Sequence, residues 1–559
     1  MEIDFKHYRY QHPSERRKRK KRNLIILLIL LIGFSLLTWD QISSFYIIKG
    51  KKLILNGKYD QAEKVLIKAL AFKRKKTEIY DALGICYLYQ KKSPAEYFQL
   101  ALKKGIKKSL LNWEEILNKL ISKGEYDSAE IYINYLKKWL KSQDLFFYEA
   151  TILLANYEIK SAEKIINNYP QNVLKRFEKR VNLQKKILKN LKDKKIFYFV
   201  FDRKHKPLYG KNIIEKDNII PVHSGLPVFN WKAFPKKDFK NQIILTINSD
   251  IQYSAIKALG KYNGSIVALN PQTGEILAAV SKKAKNDASY LNPCFQKLYE
   301  PGSIIKLLTA AAFLEEKREN FFPYFCKGVE KIDGKALYDW LSHGKIKDLS
   351  EALIFSCNLA FAKIGLNLGW EKVKKVFNKF LACKEIKIEG IPLTSPQIPQ
   401  KINNEWDLAR ICIGLNKLKI TPFHAVLIAS VIANRGILMK PFLIKEKRNI
   451  YGIPYFKKFP CEIKRVISEE ISYKLRDAMV EVVEKGTGKR AKIKGFRFSL
   501  KTGTAGEKKK GYNSILIGFA PALNPKIAFS IFAEGAGRAD IEGAKITRRF
   551  LESIREELK

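Results

Sequence analysis

A chain of 559 residues holds about three or four structural units at roughly 100–200 residues each. With 46% hydrophobic and 28% charged residues, it cannot be wholly disordered, collagen-like or a polytopic membrane protein. The 104 Lys and Arg against 55 Asp and Glu leave a formal charge of +49. Such a surplus suits a nucleic acid, an anionic lipid surface or another polyanion, and composition alone does not choose among them.

The N-terminus supplies the first choice. Residues 15–22 read ERRKRKKR, and Leu24–Leu37 is an apolar run broken only by Gly33 and Ser35. Trp39, Asp40 and a second apolar patch ending at Ile48 follow. A helix from Asn23 into this patch rises about 1.5 Å per residue and is long enough for a hydrocarbon core of about 30 Å. No A-x-A-like site marks a cleaved signal peptide. The expectation is a cytoplasmic basic tail over 1–22 and an uncleaved transmembrane anchor over 23–48, with the rest of the chain outside the membrane. That topology removes nucleic acid as a partner.

Between 49 and 190 the dipeptide Ala-Glu recurs at Ala62, Ala95, Ala129 and Ala162. The first and third copies extend to Gly57-Lys-Tyr-Asp-Gln-Ala-Glu and Gly124-Glu-Tyr-Asp-Ser-Ala-Glu. Intervening blocks such as Ile79–Gln90 space their apolar residues helically. A period near 34 residues with a small alanine at each helix contact resembles tetratricopeptide repeats. The region is expected to be all-helical and to serve spacing or partner binding. Its aromatic run over 145–160 is read as repeat core.

After Leu191 the pattern turns to period two. Ile196–Arg203 reads as a strand, and Pro207, Pro221 and Pro227 mark turns, giving a linker or pedestal remnant over 191–240. From 241 to 559 strands and helices alternate without a strict βαβ rhythm. Ile243–Ile247, Gly264–Asn270, Ile276–Ser281, Ser514–Ala520 and Ile527–Ala533 read as strands, and Ser303–Leu314 as a helix. Strands at both ends with helices between them predict an α+β architecture built on one antiparallel sheet.

Three short motifs in this last unit carry chemistry together. In Ser303-Ile-Ile-Lys306, preceded by Pro301-Gly302, the serine sits at a helix start where free N–H groups favour a developing anion. Lys306 lies one turn on, in an apolar setting able to lower its pKa and make it a base. Ser356-Cys357-Asn358 offers a proton relay and an amide anchor. Lys501-Thr502-Gly503-Thr504, at the end of the strand-like Phe496–Leu500, offers a cation, two hydroxyls and a glycine that admits a neighbouring backbone. Each motif alone is weak, since a lysine-rich chain meets S-x-x-K by chance and Ser/Asn pairs are common in turns.

S-x-x-K, S-x-N and K-T-G in this order resemble the active-site signature of the penicillin-recognising serine acyltransferases. Gly264–Ser281, His343-Gly344, Leu349-Ser-Glu-Ala-Leu, Ile420-Thr-Pro422, Ala433-Asn-Arg-Gly436, Glu484–Gly488 and Gly518–Pro521 are similar to the monofunctional, class B-like penicillin-binding transpeptidases. The resemblance implies Ser303 as nucleophile, Lys306 as base and Ser356 as relay, with Asn358 and Lys501 positioning relay and substrate. It further implies an oxyanion hole from the N–H groups of Ser303 and Thr504, and carboxylate binding by Thr502 and Thr504. The implied reaction is D,D-transpeptidation of peptidoglycan stem peptides at the bacterial cytoplasmic membrane, on its outer side. β-Lactams would bind covalently, and a separate glycan polymerase and other wall-synthesis partners would be recruited through the repeats. D,D-Carboxypeptidase, β-lactamase and a non-catalytic scaffold or sensor are the alternatives. Leu500 and Gly506 depart from the family's usual residues, at positions expected on the cleft rim.

Other features imply less. Seven scattered cysteines, with no C-x-x-C, H-E-x-x-H or Cys/His cluster in the sequence, predict neither a disulfide scaffold nor a metal, and no cofactor is expected. Gly486-Thr-Gly-Lys489 fails as a phosphate loop because Arg490 replaces the hydroxyl residue and Val483 the leading glycine. His343 and His424 read as structural, and Lys508–Lys510 as a solvated loop.

Overall fold

The computed structural model describes residues 13–72, 77–156, 158–193, 196–212, 219–221, 241–282, 292–317, 321–381, 386–388, 391–507 and 511–558. It divides after Asp193 into two compact units.

The first unit is helical. Pro13–Leu55 is one helix of 43 residues and contains the segment expected to cross the membrane. The side chains of residues 27–38, the centre of that segment, lie outside the described residues. Among the described residues no helix is long and apolar enough to cross a membrane. Helices follow at Tyr59–Phe72, Thr77–Tyr89, Ala95–Lys103, Trp113–Ser122, Tyr126–Leu136, Leu145–Ala155 and Ile159–Asn167.

Three of the four Ala-Glu copies fall one turn inside a helix, and Ala62, Ala129 and Ala162 are completely buried. The second copy differs: Ala95 opens its helix and is exposed. There Phe98 fills the contact instead, against Gly84, where a Cβ would lie 2.3 Å from its ring. Phe98 in turn stacks on Tyr135 at 4.0 Å between centroids. In the aromatic run, Phe147 and Tyr148 are core residues and Phe147 stacks on Phe177 at 4.4 Å.

This core encloses the Asp81 carboxyl group without exposure. Asp81 is buried and accepts hydrogen bonds from the Ser109 hydroxyl and, at 2.9 Å, from the Tyr135 hydroxyl. Burial pushes its pKa up from 3.8 to about 6 against the pull of those two donors. Because the folded pKa lies above the unfolded one, the stabilisation exists below pH 3.8 and is lost as pH rises through about 6. The stability of wild type relative to Asp81→Asn should therefore fall by about 2–3 kcal/mol from acid to neutral pH, read from denaturant unfolding of the helical unit. A difference independent of pH would mean that folding leaves the pKa of this carboxyl unshifted.

The second unit is built on a five-stranded antiparallel sheet in the order Ser499–Glu507, Gly511–Ala520, Ile527–Ala533, Gly264–Leu269, Ile276–Lys282. Its central strands are apolar at nearly every position because both faces are covered. Val267, Leu269, Ile515 and Ile517 enter one core, which includes the helices Lys306–Glu315 and Pro422–Ala433. Ile266, Ala268, Leu516 and Ile531 enter the other, shared with the helices Ser249–Leu259 and Ala544–Ser553. The alternation of period two thus distributes apolar side chains to both sides.

The single sheet expected from the sequence is joined by a second, of six strands. It runs Pro454–Lys457, Ile444–Arg448, Gln242–Leu245, Ile196–Phe201, Pro207–Asn212, Ile219–Pro221. One pairing is parallel, Val200 opposite Ile243. The described strands after Asp193 are therefore part of a sheet, Pro207 opening one strand and Pro221 closing another. Pro227 lies outside the described residues. The K-T-G motif also sits differently from expectation: its strand starts at Ser499 and runs through the motif to Glu507.

Candidate active site

Three segments converge on one cleft of about 940 Å³, lined among others by Ser303, Ser356, Asn358, Thr502, Gly503 and Thr504. Pro301 and Gly302 turn the chain into a short 3-10 segment, Gly302–Ile305, which passes directly into the helix Lys306–Glu315. The turn is held from outside: the Gly302 N–H donates to the Gly414 carbonyl at 2.9 Å. Gly414 has φ +87°, and a Cβ there would lie 1.9 Å from the Gly302 oxygen. Ser303 is half-buried, whereas Lys306 is fully buried among Ile304, Ile305, Leu307 and Leu308.

Ser356 ends the helix Leu349–Phe355 in a left-handed conformation, φ 57°, ψ 41°. A non-glycine residue there carries backbone strain of about 1 kcal/mol or more, a feature that clusters at functional sites. The next helix, Asn358–Leu368, begins at once, and the Asp339 carboxylate accepts from the N–H groups of Asn358 at 2.7 Å and Leu359 at 3.3 Å. The Trp340 indole donates to the Phe355 carbonyl at 3.0 Å. The strained turn is thereby fastened on both sides.

The two lysines meet at this turn. Lys306 donates to the Ser356 carbonyl at 2.6 Å and to Asn358 Oδ1 at 2.7 Å, with Ser356 Oγ at 3.4 Å. Lys501 donates to Ser356 Oγ at 2.8 Å and to the Thr502 carbonyl at 2.9 Å. Burial pushes the Lys306 pKa down to about 8, partly opposed by the Asp339 charge. Burial lowers Lys501 well below the ordinary lysine range, and the neighbouring Lys306 charge lowers it further. Ser303 lines the cleft, and no hydrogen bond joins it to Lys306.

The K-T-G strand forms the opposite wall. A Cβ on Gly503 would lie 3.1 Å from both the Pro301 oxygen and the Ser303 nitrogen. That close backbone approach sets the N–H of Ser303 beside the strand carrying Thr504. The hydroxyls of Thr487 and Thr502 are hydrogen-bonded at 2.6 Å, and Ala539 N–H donates to the Thr504 hydroxyl at 3.1 Å. Leu500 is not on the cleft rim as expected. It is completely buried in the core shared with the Ala544–Ser553 helix, because strand alternation turns residue 500 away from the side that carries Lys501.

Residues 264–554 match the penicillin binding protein transpeptidase domain. The chain belongs to this penicillin-binding family. It is 34% identical over 311 residues to stage V sporulation protein D of Bacillus subtilis, covering 51% of this chain and 48% of that protein. It is 28% identical over 342 residues to the peptidoglycan D,D-transpeptidase PbpA of Mycolicibacterium smegmatis, covering 52% and 67%. The match thus spans about half to two thirds of these relatives' lengths. Among solved structures, the D,D-transpeptidase domain of a peptidoglycan glycosyltransferase from Eggerthella lenta superposes with TM-score 0.57 at 23% identity, over 65% of this chain and 98% of that one. A ceftriaxone acyl-enzyme complex of penicillin-binding protein A from M. tuberculosis superposes with TM-score 0.59 at 21% identity, over 64% and 98%. Both share the fold of this penicillin-binding unit.

Several neighbours of the motifs were not legible beforehand. Asp339 and Gly414 are single residues whose partners lie 19 and 112 positions away in the chain, and Thr487, inside the family-like stretch Glu484–Gly488, had no role assigned to it. Cys326, Asp339, His343 and Cys357 place one ligand atom each within 4.8 Å of one another, the one such group found among the described residues. Two thiols, an imidazole and a carboxylate form a donor set able to hold a metal ion of the zinc type. The only advance signal was Asp339 and His343 four apart. His424 is structural as expected, buried beside the capping Thr421 and pushed down to about 4 by burial. Lys508–Lys510 lie outside the described residues.

The Gly414–Gly302 contact gives a direct check. Gly414→Ala needs both a strained φ and displacement of the serine turn, so it should destabilise the penicillin-binding unit by about 3 kcal/mol. Thermal unfolding measures this, and a wild-type midpoint would show that the turn gives way freely.

Proposed function

We propose that the protein is a membrane-anchored D,D-transpeptidase that cross-links peptidoglycan stem peptides and is acylated by β-lactams. The observation carrying the reading is that two buried lysines hold one serine, Ser356, inside the cleft that exposes Ser303. Ser303 Oγ attacks the carbonyl of a D-Ala-D-Ala end while neutral Lys306 removes its proton. The oxyanion lies between the N–H groups of Ser303 and Thr504, such donors being worth about 3–4 kcal/mol each. Ser356, bonded to Lys501, passes a proton to the departing amine, so D-alanine leaves and an ester to Ser303 remains. Asn358 anchors the donor's amide, and Thr502 and Thr504 receive its terminal carboxylate. An amine of a second stem peptide then attacks the ester, forming the cross-link and freeing Ser303.

The same reading assigns 1–22 to a cytoplasmic tail, 23–48 to a single anchor, 49–190 to tetratricopeptide-like repeats, 191–240 to a pedestal remnant and 241–559 to the catalytic domain outside the membrane. Helix pairs with buried alanines at three of four repeat positions support the repeats. A helical unit devoid of acyl-transfer chemistry fits recruitment of a separate glycan polymerase and other wall-synthesis partners.

Fluorescent penicillin should label the wild type covalently and leave Ser303→Ala unlabelled, and an unlabelled wild type would sink the enzyme reading. Long-lived label followed by amide products with an added acceptor amine separates transpeptidation from β-lactamase and carboxypeptidase action, both of which transfer to water. The pH dependence tests the base. A lysine shifted down to about 8 is mostly charged below that pH, so the acylation rate should rise about ten-fold per unit from pH 6 to 8 and level off above. Lys306→Arg, charged throughout, should abolish acylation. A flat profile would remove Lys306 as the base.

A further inference from the structure

The cleft carries more positive charge than a single terminal carboxylate can answer. Its lining includes Lys485, Lys489, Arg490 and Arg538 against one carboxylate, Asp540. Asp540 is already shared: Arg538 reaches its two oxygens at 2.9 Å each, and Arg490 lies 3.5 Å from one of them. Lys485 pairs with Glu481 at 3.0 Å. Lys489 is exposed and has no carboxylate within 4 Å among the described residues.

These cations are not scattered surface lysines. They sit on two segments fastened to the strand that holds the carboxylate-binding threonines. Lys485, Lys489 and Arg490 flank Thr487, whose hydroxyl is bonded to that of Thr502. Arg538 and Asp540 flank Ala539, whose N–H is bonded to the Thr504 hydroxyl. Arg538 also lies over the Trp340 ring, 5.9 Å from its centroid, which fixes the guanidinium at the cleft wall. Each cation is therefore placed by the element that would grip the acyl donor.

From this we infer that the cleft selects acyl donors bearing a second carboxylate beyond the terminal one, with Lys489 and Arg490 as the residues that recognise it. The inference rests on the transpeptidase reading of the same site. A donor with one negative charge leaves the cation excess unanswered, whereas a dianionic donor matches it. The chemical class is an acidic peptide end, with a free side-chain or isopeptide carboxylate in place of its amide.

Two penicillins that differ only in one carboxylate give the test: benzylpenicillin and its α-carboxy analogue, carbenicillin. Second-order acylation rates are measured on the full chain in detergent, for wild type, Lys489→Gln and the Lys489→Gln/Arg490→Gln pair. The ratio of the carbenicillin to the benzylpenicillin rate should fall about five-fold in the double variant, the size of an exposed charge pair, and about half of that on a logarithmic scale in Lys489→Gln, whose side chain has no structural partner to lose. The wild-type ratio should also fall with added salt while the double variant's changes little. Acylation by both penicillins with equal ratios in all three proteins would overturn the selectivity and leave the transpeptidase reading standing. Acylation of the wild type by neither would bring down both.

Discussion

Two lysines buried against one serine set the terms for the rest of the penicillin-binding unit. Lys306 and Lys501 are both without exposure, and both donate to Ser356. Two ammonium groups in one desolvated pocket repel each other and lose hydration, so the pocket cannot keep both charged. The charge on Lys306 adds to burial in lowering Lys501, so the two titrate as a coupled pair in which Lys501 is the more strongly shifted. The remaining donor capacity is taken up by the Ser356 carbonyl, Asn358 Oδ1 and the Thr502 carbonyl. Those bonds tie helix, turn and strand into one unit, and none of the three segments has this geometry alone. The strain of Ser356 at positive φ is held by the same network, with Asp339 capping the helix that follows.

The sheet explains why the constellation sits where it does. A sheet covered on both faces can present chemistry only at its edges. At one edge, Ile276–Lys282, the Gln252 amide accepts from Ala279 N–H at 2.9 Å and donates to its carbonyl at 3.1 Å. A side chain there imitates the missing strand and closes the edge. At the other edge, Ser499–Glu507 pairs on one side only, and its free side meets the serine turn. Gly503 makes this meeting possible, since any Cβ would press on Pro301 and Ser303. The site is thus an unpaired sheet edge whose partner is a helix start.

Much of this was legible because the chemistry is local in sequence. S-x-x-K, S-x-N and K-T-G each fix residues within one turn or strand, and the structure brings all eight named residues to the cleft or its buried wall. The strands Gly264–Leu269 and Ile527–Ala533 were legible because strands buried on both faces read as apolar runs between turns. What stayed hidden is long-range. The second sheet needs Ile444–Arg448 to reach across to Gln242–Leu245, a pairing no local pattern announces. Ala95 misled because a dipeptide repeat records spacing, while Gly84 and Phe98 decide which residue is buried. The Cys326, Asp339, His343 and Cys357 cluster matches no contiguous motif, as its members lie at a strand end, in the connection between two strands and at a helix start.

The surplus of +49 works through its field rather than through stability. Pairs such as Lys474–Glu470 and Arg548–Glu552 are exposed, and such pairs contribute about 0–1 kcal/mol each. Lys306 and Lys501 stand apart from that field, buried and with pKa values pushed down by burial. The charge that remains is outward, and its reach in salt is about a Debye length of 8–10 Å. Over that distance a polyanion is drawn to the surface without being oriented. Orientation needs cations that are held in place, as Arg538 and Arg490 are by Asp540, next to Ala539 and beside the strand that carries Thr502 and Thr504.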